Sequence, residues 1–133
     1  MLVIDLPFLP VSVNACYRAS GKRVYKSKRL REFDKKMEAV LNGLDKIDGP
    51  VSLDVEFELK SKRKRDIDNL LKSLIDGLEN RVIGDDSNII KLTAIKYFGK
   101  VNRTKIIIKK YPDQLDLVPP VSRHQSPCQN EIQ

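Results

Sequence analysis

The feature that most constrains this chain is an abrupt change of period between residues 59 and 67. Val51, Leu53, Val55, Phe57 and Leu59 alternate strictly with Ser52, Asp54, Glu56 and Glu58, the period of a strand with one buried face. Ile67, Leu70, Leu71, Leu74, Ile75 and Leu78 then recur at i, i+3, i+4, i+7, i+8 and i+11, the stripe of a helix lying on a sheet. The seven residues between are mostly charged, so the strand-to-helix junction is a solvent-facing site on a packed scaffold.

The remaining elements follow the same logic. Leu2, Ile4 and Leu6 alternate with Val3 and Asp5 and are closed by Pro7 and Pro10, a short strand. A loop rich in Ser, Asn, Gly and cations runs to about residue 26. Ser27 is a helix N-cap candidate, followed by Leu30, Phe33, Met37, Val40, Leu41 and Leu44 at helical spacing with a basic outer face. Residues 89–98 and 104–110 read as two strands joined as a hairpin through 99–103. The order β-α-β-α-β-β predicts a single-domain α/β sandwich over 1–110, with a mixed, roughly four-stranded sheet carrying the helices. Residues 111–133 lack periodicity and are expected to form a disordered tail.

Charge narrows the partner. The chain of 133 residues carries +7, and residues 1–110 hold 24 cations against 15 carboxylates. Such a surface favours a polyanion, nucleic acid before anionic membrane. No apolar run is long enough to span a bilayer, and the start MLVIDLPFLP is acidic where a signal peptide is basic, so a soluble, cytoplasmic protein is expected. The only cysteines are Cys16 and Cys128 and the only histidine is His124. A disulfide framework, a Cys/His zinc site and a histidine-based hydrolase are therefore excluded. Chemistry has to run on carboxylates, lysines, hydroxyls and bound water.

Those carboxylates lie at the junction. Lys60, Lys62, Arg63, Lys64 and Arg65 are followed by Asp66 and Asp68, and Asp85 and Asp86 come within about twenty residues. On a helix, i and i+2 stand about 200° apart, so a shared direction requires Asp66 to be extended, with the helix starting near Ile67 or Asp68. Asp68, Lys72 and Asp76 then form one stripe. Hard divalent cations bind through a few carboxylates and leave positions for water and phosphate, and Lys72 can stabilise a leaving oxygen. Asp66 and Asp68 alone could equally serve to neutralise Arg63, Lys64 and Arg65. Asp86 is harder to bring in, because a helix over 67–79 carries the chain roughly 18 Å from Asp68. Either the loop doubles back along the helix, or the helix is shorter, or Asp86 completes a partner subunit's site.

The residues resemble the RusA-like Holliday-junction endodeoxyribonucleases of bacteria and their phages. The shared pattern is a basic cluster, DxDN, a Lys four residues on, an Asp-x-Leu and a later DD. Here these are Arg63, Lys64, Arg65, Asp66, Asp68, Asn69, Lys72, Asp76, Leu78, Asp85 and Asp86. A looser likeness is the loop Pro10, Ser12, Asn14, Tyr17 and Arg18, with altered spacing, and Gly84 stands where an aromatic often precedes the acidic pair. The resemblance implies a homodimer that resolves four-way branched DNA by paired nicks in recombination and repair. It implies magnesium, with manganese as a substitute, and no organic cofactor. Asp66, Asp68 and Asp86 would be the metal-binding carboxylates and Lys72 the essential lysine. Asn14, Tyr17, Arg18, Lys62, Arg63, Lys64, Arg65 and Asn69 would contact DNA. A rival expectation is a non-catalytic branched-DNA-binding protein of phage origin.

Overall fold

The computed structural model describes residues 1–111. Its strands are β1 (Leu2–Leu6), β2 (Tyr17–Ser20), β3 (Arg23–Lys26), β4 (Val51–Leu59), β5 (Ile89–Phe98) and β6 (Arg103–Lys110). The helices are α1 (Lys28–Leu41) and α2 (Ile67–Leu78), and two 3-10 turns span Val13–Ala15 and Asp86–Asn88. The expected α/β architecture with a mixed four-stranded sheet is present, in the order β1-β6-β4-β5. The tail expected beyond 111 lies outside the described residues. Tyr111 itself is held by its N–H on the Pro50 carbonyl at 2.9 Å.

β4 takes an inner position because its alternation is the most complete. Val51, Leu53, Val55, Phe57 and Leu59 are all buried, while Ser52, Asp54, Glu56 and Glu58 are half-covered on the other face. β4 pairs with β6 antiparallel and with β5 parallel. The hairpin expected between β5 and β6 therefore does not form, since β4 lies between them. Four connecting residues reach about 13 Å, and stepping across one strand needs about 10 Å, so loop length permitted either arrangement. Glu58 secures the step: its carboxylate accepts from the N–H groups of Lys100 at 3.0 Å and Val101 at 3.4 Å.

The loop expected up to residue 26 contains a second departure, the antiparallel ribbon β2–β3. Ser20 faces Arg23, leaving the two-residue loop Gly21-Lys22 with Gly21 at φ +62°, the positive φ that a tight hairpin turn uses. Every residue of both strands is exposed, so no apolar alternation marked them.

Ser27 caps α1 as expected, accepting from Leu30 N–H at 3.1 Å, and also donates to the Ala15 carbonyl at 2.6 Å. Leu30, Phe33, Met37 and Leu41 are buried, whereas Val40 and Leu44, counted as part of the stripe, are exposed. Helix α2 buries Leu70, Ser73, Leu74, Gly77 and Leu78. The small residues let neighbours approach: a β-carbon on Gly77 would lie 3.1 Å from Met37 Cε, and Ser73 Oγ donates to the Val11 carbonyl. That last bond holds the Val11–Cys16 segment across α2.

Candidate active site

The strand-to-helix junction folds as its spacing requires. Asp66 is the N-cap of α2, extended at φ −85° and ψ 134°, and Asp68 sits in the first turn. Both are exposed, and Asp68 lies at the positive end of the helix dipole. The Arg65 carbonyl accepts from Lys96 Nζ, which ties this corner to the far end of β5.

Asp66 borders a cleft of about 560 Å³ between the proline loop, α1 and the start of α2. Asn14, Arg63, Lys64, Arg65 and Asn69 line it, together with Arg29 and Lys36 of α1. The tertiary structure thus brings the PxSxN-like loop onto the basic run, though some fifty residues separate them. Lys62 is exposed and outside the cleft. Arg65 is half-buried, and its Nη1 is shut off from solvent without a hydrogen-bond partner. Desolvation, and then the Arg63 charge, lower its pKa.

Tyr17 and Arg18 go elsewhere, onto the ribbon. Tyr17 borders a second cleft of about 590 Å³ with Lys26, Asp34, Lys72, Asp76 and Glu79. Cys16, also on that cleft, is buried and free. Its thiol pKa is raised by burial first and then by the charges of Asp76 and Asp34, so it is a packing residue.

The third acidic position comes to the opposite end of α2. Asn80, at φ 65°, turns the chain, donating its N–H to the carbonyls of Ile83 at 2.8 Å and Gly84 at 3.1 Å. Arg81 caps the helix end through Nη1 on the Gly77 carbonyl at 2.8 Å. The loop thereby folds back onto the end of α2, where Glu79 Oε2 accepts from Asp86 N–H at 3.2 Å. Glu79, Asp85 and Asp86 bring carboxylate oxygens within 4.8 Å of one another, the one such trio among the described residues. Asp66 and Asp68 are not in it. Eleven residues of helix, about 16 Å, separate Asp68 from Glu79.

This trio offers hard oxygen donors and could hold a divalent cation. An Asp86 backbone hydrogen bond acts to lower the Glu79 pKa, but it is outweighed by the hydrogen bond to Asp85 and the neighbouring charges, which leave it raised. Ser87 first, then Glu79, hydrogen-bond Asp85 and lower its pKa. Lys72 is paired with Asp76 at 3.1 Å. That hydrogen bond and the Asp76 charge raise its pKa, with smaller contributions from Asp86 and Glu79. Glu79 was not among the residues expected from sequence. Its signal was present, since it follows Asp68 by eleven residues, about 20° around the helix, on the stripe that holds Lys72.

No helix among the described residues is long and apolar enough to cross a membrane. No curated protein matches the chain. The family description Endodeoxyribonuclease RusA matches residues 7–109, about three quarters of its length. The match takes in both clefts, the DxDN corner and the acidic pair, and the chain belongs to the RusA endodeoxyribonuclease family.

Proposed function

We propose that this protein is a divalent-metal-dependent endonuclease that nicks four-way DNA junctions in symmetric pairs, leaving 5′-phosphate and 3′-hydroxyl ends. The observation that carries this reading is the corner where extended Asp66 stands beside Arg65 at the mouth of a cationic cleft, with Asp68 following in the first turn of α2. Arg63, Lys64 and Arg65 hold the strand through its phosphates, and Lys72 remains an ammonium able to stabilise the leaving oxygen. Asp66, Asp68 and Asp86 are the residues that would hold magnesium or manganese, an all-oxygen set suited to either. Such an ion supplies Lewis acidity toward the scissile phosphate and its attacking water.

A homodimer reconciles these carboxylates with their separation in one chain. β5 is an edge strand of ten residues, and Ile90, Leu92, Ile95, Tyr97 and Phe98 are all more than 40% exposed on it. Long apolar edges are templates for pairing. An isologous antiparallel pairing of two β5 strands sets the start of one beside the end of the other. Asp86 lies just before the start of β5, while Lys96 links its end to Arg65. In such a dimer the partner's Asp86 approaches the end of the sheet that carries Asp66 and Asp68. Two sites related by a two-fold axis match two opposed nicks.

The test is cleavage of a labelled synthetic four-way junction beside a linear duplex of the same sequence, in magnesium, with EDTA and Asp68→Asn as controls. Paired nicks on the junction alone, lost in both controls, are expected. Tight junction binding with no cleavage in magnesium or manganese would instead make this a binding protein.

A further inference from the structure

The cleft at the DxDN corner contains more than a backbone-binding surface requires. Its floor is apolar and aromatic: half-buried Phe8 meets buried Phe33 edge to face, with centroids 6.0 Å apart and planes at 84°. The Lys36 ammonium lies 5.1 Å from the Phe8 centroid. Both residues line the cleft, and the ammonium covers a face of the Phe8 ring. Asn14 and Asn69 bring amide side chains to its walls. Arg65 contributes a guanidinium nitrogen closed off from solvent and left without a partner.

A buried, unpaired donor is rare, and a charged one is costly. Arg65 also lines the cleft, where a planar or tetrahedral oxyanion such as phosphate is the natural complement of its guanidinium. Paired duplex presents phosphates on its outside and keeps its bases stacked, so it can satisfy the rim of this cleft and leave the aromatic floor empty. The volume of about 560 Å³ falls in the roughly 300–1,000 Å³ range of pockets that enclose whole small molecules.

We propose that this cleft receives one unstacked nucleotide of the branched strand, its phosphate on Arg65, its base against Phe8 and its base edge read by Asn14 and Asn69. The proposal rests on the junction-nuclease reading and names what that site recognises. Bases at the exchange point of a branched DNA are the least costly to unstack, so a pocket for one nucleotide couples branch recognition to base identity. Entry of the base displaces the Lys36 ammonium from the ring and leaves it available to phosphate. Asp66 stands on the rim of the same cleft, which sets the captured nucleotide beside that carboxylate.

The experiment replaces each nucleotide flanking the cleaved bond, one at a time, with an abasic residue and measures junction affinity in EDTA, for wild type, Phe8→Leu and Arg65→Gln. At one position the abasic substitution is expected to weaken wild-type binding by roughly tenfold, the scale of one base–aromatic stack. Phe8→Leu should show that loss with the intact junction and no further loss with the abasic one. Arg65→Gln should weaken binding while leaving the abasic effect in place, which controls for a misfolded Phe8 variant. An abasic penalty that is absent at every position, or that persists undiminished in Phe8→Leu, overturns the nucleotide pocket even if wild type cleaves junctions. Failure of wild type to bind or cleave junctions overturns the nuclease reading, and the pocket with it.

Discussion

Lys72 Nζ lies 3.1 Å from Asp76 Oδ1, one turn along α2 on the side away from Asp68. The hydrogen bond and charge of Asp76 raise the lysine pKa, so the ammonium form is favoured and Lys72 is suited to the part of a fixed cation, not of a base. With a raised pKa, the pair's stabilisation is fully present below the ordinary lysine value and is lost as pH rises through the raised one. The cleavage rate is therefore expected to show no limb from Lys72 between about pH 6 and 9. Lys72→Ala should lower the rate on the order of 10²-fold with junction affinity nearly kept. A Lys72-dependent ionisation near neutrality in the pH–rate profile would contradict this.

The two ends of α2 provide a test of the shared site. If the partner's Asp86 joins Asp66 and Asp68, an Asp68→Asn chain mixed with an Asp86→Asn chain yields a heterodimer with one intact site and one doubly altered site. Nicking of one strand is expected to return on mixing, although each variant alone is inactive. Silence of the mixture, with subunit exchange verified, would assign Asp86 to its own chain's site.

The β5 edge makes a separate prediction about assembly. Ile95 is 49% exposed and pairs with Glu56 in the parallel register, so a charge there costs the monomer little. Ile95→Lys should change monomer stability by less than about 0.5 kcal/mol and shift sedimentation from dimer to monomer, with loss of paired nicking. An unaltered dimer would place the interface elsewhere.

Gly77 reports on helix packing rather than chemistry. Its missing β-carbon leaves Met37 Cε and Phe33 Cε2 in contact range, at 3.1 and 3.4 Å from where a β-carbon would stand. Gly77→Val should cost about 1–3 kcal/mol by forcing α1 from α2, read as a lowered midpoint in urea. Gly77→Ala should be much milder, because Met37 is flexible and alanine is the better helix former.

Much of this molecule was legible in its residues. Strict alternation in Val51–Leu59 specified a strand with one buried face, and 3.6-residue spacing from Ile67 specified α2. The geometry of i and i+2 required Asp66 to be extended before the helix, as it is. These are local properties: side-chain direction repeats every two residues in a strand and every 3.6 in a helix, so a segment's own pattern states which face is covered.

What covers it was decided at longer range. Alternation in β5 and β6 could not say that β4 would separate them, because a four-residue connection reaches a neighbouring strand or the next one equally well. The ribbon β2–β3 buries nothing and so left no periodic trace. Loop length gave only an upper bound on where Asp86 could go. The turn at Asn80 and the hydrogen bond from Asp86 to Glu79 took it to the far end of α2. Phe8 joined the basic run because the segment after β1 and the start of α2 border one cleft, a consequence of chain packing that no single segment encodes.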